Sequence, residues 1–435
     1  MLKDRFKFEK HRTNLRTETV AGVTTFLTMA YIIFVNPNIL GDAGMDKNAQ
    51  IAVTCLVSAI ATIAAGLFGK APIAMAPGMG LNSFFAYTLV AREQVSWQTA
   101  LGAVFISGLV FLILTLIGLR KKLVEAIPQG LIAAIAVGIG LFIAFIGLGN
   151  LGLILRDEKT LFAFGDVRQA TVWIGLLGLA VMIALSALRV KGSLLIGIFV
   201  ATITAGLLGY VNKPAGWVSL DWPVYKVALH LDIVGAMKIS LWGSIFTLMF
   251  IDLFDSIGTL VACCEKAGMR DERGQIRGLD RLLGIDAVAT MIGALLGTST
   301  TTSYVESAAG IEQGGRTGFT AVVTGVLFLL AMFFVPVIAI VPGYATAPAL
   351  IVVGYFMMKE ARKINLRKAD ELIPSLIIVV MIAASYQISL GLALGFVSFV
   401  VLKVVRGRFR EIRGAMWLIA GLSLAFLAIR WWPVG

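Results

Sequence analysis

The chain has 435 residues, 58% of them hydrophobic and only 14% charged; soluble domains carry roughly 25% charged residues, so a large soluble core is excluded. The net charge of +12 sits in short connectors between apolar runs rather than on one basic face, so no nucleic-acid partner is expected. The three cysteines, Cys55, Cys263 and Cys264, lie in or at the ends of apolar runs and form neither a disulfide framework nor a CxxC metal site.

The start, MLKDRFKFEKHRTNLRTE, is charged and lacks a signal peptide's apolar core and cleavage site, so the first apolar run is expected to serve as an uncleaved insertion signal. Membrane-spanning runs are then expected at 20–39, 50–68, 73–90, 99–118, 127–148, 171–188, 192–210, 240–263, 282–297, 299–311, 318–340, 346–358, 371–387 and 388–405. Two of these, 299–311 and 346–358, are too short to cross as regular helices. With the N-terminus in the cytoplasm, the expected inside segments hold 28 of the 37 Lys and Arg. Dropping one span would turn the basic segment 403–413 to the outside. The expected fold class is therefore an all-α polytopic protein of the cell's inner or plasma membrane, with about fourteen transmembrane segments and the lipid bilayer as its solvent. A last apolar stretch, 415–431, either crosses again or lies in the interface.

Fourteen spans divide into seven and seven, and an odd number per half makes the second half insert upside down. The expected organisation is a first repeat at 1–212, an extracytoplasmic connector at 213–239, a second repeat at 240–410 and a hydrophobic tail at 411–435. Residues 65–69 (AGLFG) and 293–297 (GALLG) fall 228 apart, and neither runs on into an ordinary membrane helix. The first continuation, KAPIAMAPGMGLNSFF, carries Pro72, Pro77, Gly78 and Gly80, which disfavour helix. The second, TSTTTSYVESAAG, is rich in β-branched residues that suit an extended strand. Extended backbone within a bilayer persists only when buried in protein or lining a cavity. Short strands in spans 3 and 10, approaching each other at the midplane, thus mark the expected binding site.

Three carboxylates stand out within the expected spans: Asp252 and Asp255 in FIDLFDSIGT, and Glu306 in YVESAAG. A charge there costs at least about 2.5 kcal/mol, so such residues usually face a cavity. Asp252 and Asp255, three apart, are expected on one side of a helix. Either aspartate alone is equally readable as a structural partner across a helix contact. Glu306 stands where a strand hands over to a short helix, Ser307–Gly310, whose N-terminus favours negative charge. Asn82 offers donors and an acceptor, Thr24, Thr25 and Thr28 offer hydroxyls, and Phe84, Phe85, Phe254 and Tyr304 can stack on a flat ring. This set suits a small neutral heterocycle. His11 and His230 lie in connectors, so neither a metal site nor a nucleophilic enzyme is expected.

The segments AGVTTFLTMAYIIFVNPNIL, APGMGLNSFFAYTLV, FIDLFDSIGTL and TSYVESAAGIEQGGRTGFTAVV resemble the AzgA-like purine nucleobase permeases, of the superfamily that includes the uracil permeases. The likeness runs from about residue 14 to 410. It implies a core of spans 1–4 and 8–11 moving against a gate of spans 5–7 and 12–14, and import of adenine, guanine or hypoxanthine with a proton as coupling ion and no other cofactor. By motif position it implies substrate contacts at Asn82, Asp252 and Glu306, with proton coupling or site structure at Asp255. Thr25, Phe84, Thr302 and Tyr304 complete the expected substrate site, Glu306 is a second candidate for proton coupling, and the Thr-rich run 300–302 leaves base preference open. A homodimer is left open as an assembly. The rival readings are an anion or uracil/xanthine transporter of the same architecture and a non-transport membrane enzyme.

Overall fold

The computed structural model describes residues 4, 6–119, 123, 126–157, 161–214, 216–271 and 275–431. Lys3, Arg5, Arg120, Lys121, Lys122, Lys159 and Arg273, which entered the charge count, lie outside the described residues, as do tail residues 432–435.

Helix α1 (Leu15–Met29) starts at Asn14, whose side chain accepts from the Thr17 amide, 2.9 Å. Helix α2 (Ile32–Asp42) follows after a break at Ala30 and Tyr31, so the first span is two helices rather than the single one expected at 20–39. Asp46 caps α3 (Lys47–Leu67), accepting from the Ala49 amide at 2.8 Å. Strand β1 (Met75–Pro77) leads into α4 (Met79–Ser83) and a π-helical stretch, Phe84–Val90. Then come α5 (Trp97–Leu116) and α6 (Gln129–Asn150). A hairpin that the sequence did not announce, β2 (Ile154–Asp157) with β3 (Leu161–Phe164), precedes α7 (Ala170–Ala187) and α8 (Ser193–Leu207).

The second half opens with α9 (Trp242–Lys266) and α10 (Leu279–Leu296). Strand β4 (Thr301–Ser303) and α11 (Ser307–Glu312) form its broken stretch. Helices α12 (Gly318–Ala331), α13 (Gly343–Met358), α14 (Ala369–Ser385) and α15 (Ile388–Val405) complete it, and α16 (Gly414–Trp431) packs on α15. α13 starts three residues before the expected 346 and carries Pro348 inside. Each of the fourteen expected spans thus falls on a helix, a helix pair or a strand-helix pair. Eight helical stretches among the described residues are long and apolar enough to cross a membrane unaided.

Packing sorts the helices into two bodies. In one, α12 lies on α3 and α1, and α10 lies on α5 and α3. In the other, α6 lies between α13 and α14, while α7 packs on α8 and α13. Glycine sets the closest approach in the first body. A Cβ on Gly66 would strike the Gly318 carbonyl, and one on Gly318 would strike the Gly66 carbonyl, so α3 and the start of α12 meet backbone to backbone. The two halves are also latched by Glu18, buried on α1. Its carboxylate accepts from the Arg316 amide (2.9 Å), the Thr317 hydroxyl (2.8 Å) and the Thr320 hydroxyl (2.6 Å), capping α12 from the other repeat.

Candidate functional site

The site begins with two strands of three residues. β1 pairs antiparallel with β4, Met75 opposite Ser303, Ala76 opposite Thr302 and Pro77 opposite Thr301. Their outer edges do not reach lipid. The Thr62 hydroxyl on α3 meets both the amide and the carbonyl of Met75, each at 3.0 Å. The Thr290 hydroxyl on α10 donates to the Thr301 carbonyl at 2.9 Å and lies 3.2 Å from its amide. Thr62 and Thr290 stand 228 residues apart, the offset of the AGLFG and GALLG segments, so the same device recurs in each repeat. Backbone polarity in the bilayer is met by protein groups, which is the condition for extended chain there.

Two carboxylates converge on this crossing. Asp255, midway along α9, accepts from the Thr302 hydroxyl at 3.1 Å. Glu306 sits at the N-cap of α11 and accepts from the Tyr31 phenol, Oη to Oε1, at 2.6 Å. Asp255, Glu306, Tyr31 and Tyr304 lie within electrostatic reach of one another. Tyr304 is anchored by its hydroxyl to the Pro77 carbonyl, 2.6 Å away. Asp255 is exposed although it stands in the middle of a helix, and Gly258 and Ala262, one and two turns on, are exposed with it. An open face therefore runs from Asp255 to the Lys266 end of α9. The arrangement offers two ionisable acceptors, hydroxyls and a flat phenol ring beside the strand crossing.

The sequence profile described as "Permease family" matches residues 16–398. The chain belongs to this family. Among its relatives is the adenine permease AdeP of Escherichia coli, 42% identical over 98% of this chain and 95% of that one. Another is the guanine/hypoxanthine permease PbuG of Bacillus subtilis, 40% identical over 98% of each. The transmembrane domain of a cyanobacterial bicarbonate transporter, BicA, shares the fold at TM-score 0.61 and 16% identity, covering 95% of this chain and 97% of its own. The permease is a multi-pass membrane protein of purine-permease type with the inverted-repeat architecture that its motifs implied.

The remaining expected residues are placed differently. Asn82 is buried one layer away from the open face: its amide donates to Asn36 Oδ1 at 2.5 Å and its carbonyl accepts from Ser299. Asn36 in turn donates to Thr54 (2.8 Å) and Thr298 (3.2 Å), extending the lattice across both repeats. Thr25 is buried against Gly310 of α11, and Phe84 is fully buried in the π-helical stretch. Asp252 and Asp255 do not share a face in the sense expected. Three residues turn a helix by about 300°, leaving the two side chains about 60° apart, and that suffices to separate them. Asp252 is buried toward α10, where Ser256 Oγ lies 3.4 Å from Asp252 Oδ1 and 2.5 Å from Asp286 Oδ2.

Four residues of this permease's interior were not singled out from the sequence. Asp286 is a further carboxylate inside an expected span, 282–297, and its place in an apolar run was the available signal. Glu18 precedes the expected start of the first span, Asn36 follows a proline-free apolar run, and Tyr31 carries no charge; none has a local signature. Among the described residues no group of three or more His, Cys, Asp or Glu is placed to hold a metal. A separate cavity of about 770 Å³ between α5, α9 and α16 is lined by apolar side chains with Glu93 and Ser244 at its edge, and is not part of the crossing.

Proposed function

We propose that this permease carries purine nucleobases across the membrane by alternating access, in symport with protons. One observation carries the reading: Asp255 and Glu306, from different helices, meet at the strand crossing on an open face, in a chain whose relatives are named adenine and guanine/hypoxanthine permeases. Ring N–H groups of a purine need anionic or carbonyl acceptors, and a carboxylate makes the stronger bond. Uptake of a proton with the base would neutralise one of two neighbouring carboxylates whose joint ionisation is disfavoured.

The two packed bodies supply a core and a gate. Contacts between them include Asn38 donating to Thr346 (3.0 Å) and Asn150 to Tyr87 (3.2 Å) at one end and Lys191 donating to the Ala309 carbonyl (3.1 Å) at the other. The latter end, toward Lys266, leaves Asp255 accessible. The distribution of Lys and Arg supports a reading in which that open end and the N-terminus are cytoplasmic. An anion of the kind carried by the bicarbonate transporter would have to face both carboxylates, which disfavours the anion reading despite the common fold.

The test is uptake of radiolabelled adenine, guanine, hypoxanthine, xanthine and uracil into cells lacking their own permeases, with and without a protonophore. Accumulation of at least one purine, abolished by the protonophore, is expected. Purine uptake no higher than in cells carrying an empty vector would overturn the proposal.

A further inference from the structure

We infer that Tyr31 is a positioning residue for Glu306, setting the pH range over which that carboxylate is ionised and fixing which of its oxygens faces the open site. Tyr31 is 1% exposed and stands at the break between α1 and α2. Its phenol Oη is 2.6 Å from Glu306 Oε1, across a sequence separation of 275 residues. The groups facing Glu306 are few. From its own segment comes Tyr304, from α9 come Asp255 and Cys263, and from the first span come Tyr31 and the Thr28 hydroxyl, which lies 3.5 Å from the Glu306 carbonyl. Among the described residues no lysine or arginine pairs with it.

With no lysine or arginine paired to it among the described residues, this carboxylate is held by hydrogen bonds. Its donors are the Tyr31 phenol and its own backbone amide, and the phenol is the one that another segment supplies. A phenol O–H donates to an ionised carboxylate far better than to a protonated one, so it favours the charged form. It meets Oε1. A carboxylate has about four lone-pair sites, so beside the phenol and the residue's own amide it keeps capacity for a ligand N–H, held in one orientation by a ring that is itself fully packed. The break in the first span serves this geometry: it brings the phenol of a residue between two helices against the N-cap of α11.

The decisive measurement needs no ligand. In the purified full-length protein, the infrared absorption of protonated carboxyl groups is followed against pH, and the component missing from Glu306→Gln is that of Glu306. In Tyr31→Phe its midpoint is expected to move up by about one pH unit, the size of one charge-assisted hydrogen bond. Site-specific 3-fluorotyrosine at position 31, a more acidic donor with the same ring, is expected to move it down; this second variant serves if the phenylalanine variant does not fold. A midpoint moved less than about 0.2 unit by either change would overturn the inference. A second readout rests on the purine proposal: adenine and hypoxanthine binding should lose its acid limb about one unit higher in Tyr31→Phe, and the change should have no effect in a Glu306→Gln background. If the infrared midpoint moves but neither base binds the parent, the purine reading fails and the role of Tyr31 stands.

Discussion

The two broken stretches share a backbone plan and divide the work. In the first, β1 runs into α4 and a π-helical stretch, and Met75 to Phe85 is buried throughout apart from the partly exposed Gly80. Its polar group, Asn82, is spent on Asn36 and Ser299. In the second, β4 hands over to Glu306 and a six-residue helix, and Val305 and Glu306 reach the open face. The first stretch is a frame and the second presents the charge. An inverted repeat duplicates geometry without duplicating chemistry, so matching positions in the two halves can carry unlike roles.

The largest effects should come from the charged stretch. Glu306→Gln loses the charge-assisted bond, worth about 1.5–3 kcal/mol against about 1 for a neutral one, so purine binding should weaken roughly tenfold or more, read by equilibrium binding. Asp255→Asn should keep binding and base exchange but lose uphill accumulation driven by a pH gradient. Asp252→Asn, buried beside Ser256 and Asp286, sharpens the contrast, since an effect on binding as large as that of Glu306→Gln would put it in the same functional group. If all three variants keep parental uptake and pH dependence within twofold, the division between frame and charge fails.

The frame should answer in stability rather than in binding. Gly78→Ala would put its Cβ against the Thr302 methyl, and overpacking of this kind costs about 1–3 kcal/mol. Thr302→Ser removes that methyl and keeps the hydroxyl that Asp255 accepts from, so the double variant should regain most of the lost thermal stability. Additive losses in the two single variants would show that the strands do not meet as described. Asn82→Ala should also cost about 1–3 kcal/mol, by stranding buried partners in Asn36 and Ser299, with binding of the folded fraction little changed.

The smallest effect lies outside the membrane. Lys226 in the connector pairs with Asp46 at 2.8 Å, and Asp46 also caps α3. Burial pushes the Asp46 carboxyl up, but the bonds from Lys226 and the Ala49 amide prevail and hold it below its usual range. A depressed carboxyl contributes stability above its unfolded pKa of about 3.9 and loses it as pH falls through the folded value. Asp46→Asn should therefore cost about 1 kcal/mol or less at neutral pH and make protease nicking of the 213–239 connector insensitive to acidification below about pH 4. The parent should become more susceptible there.

Much of this was legible in the residues. Pro72, Pro77 and Gly78 disfavour helix, and four threonines in ten residues favour a strand, so both breaks and their meeting were readable. The break at Ala30 and Tyr31 was not, because neither residue resists helix and the proline nearby, Pro37, sits inside α2. At that break the Tyr31 phenol donates to Glu306, a residue 275 positions away. The separation of Asp252 from Asp255 was hidden for a related reason: spacing gives the angle between two side chains, and only the neighbours decide which of them is buried. Asn82 was read as a substrate contact, and its hydrogen-bond partners at 36 and 299 lie far away in sequence.

The threonine brackets have a consequence for how the chain is made. Met75 and its strand partner Ser303 are separated by 228 residues, so the first strand emerges from the ribosome long before the second exists. Thr62, thirteen residues before Met75, already satisfies that residue's amide and carbonyl without help from the second half. The nascent first half thus already covers the outer edge of its strand, part of a polar edge that would otherwise invite wrong pairing. Closure of the strand pair becomes a late step that joins two halves each already partly sealed.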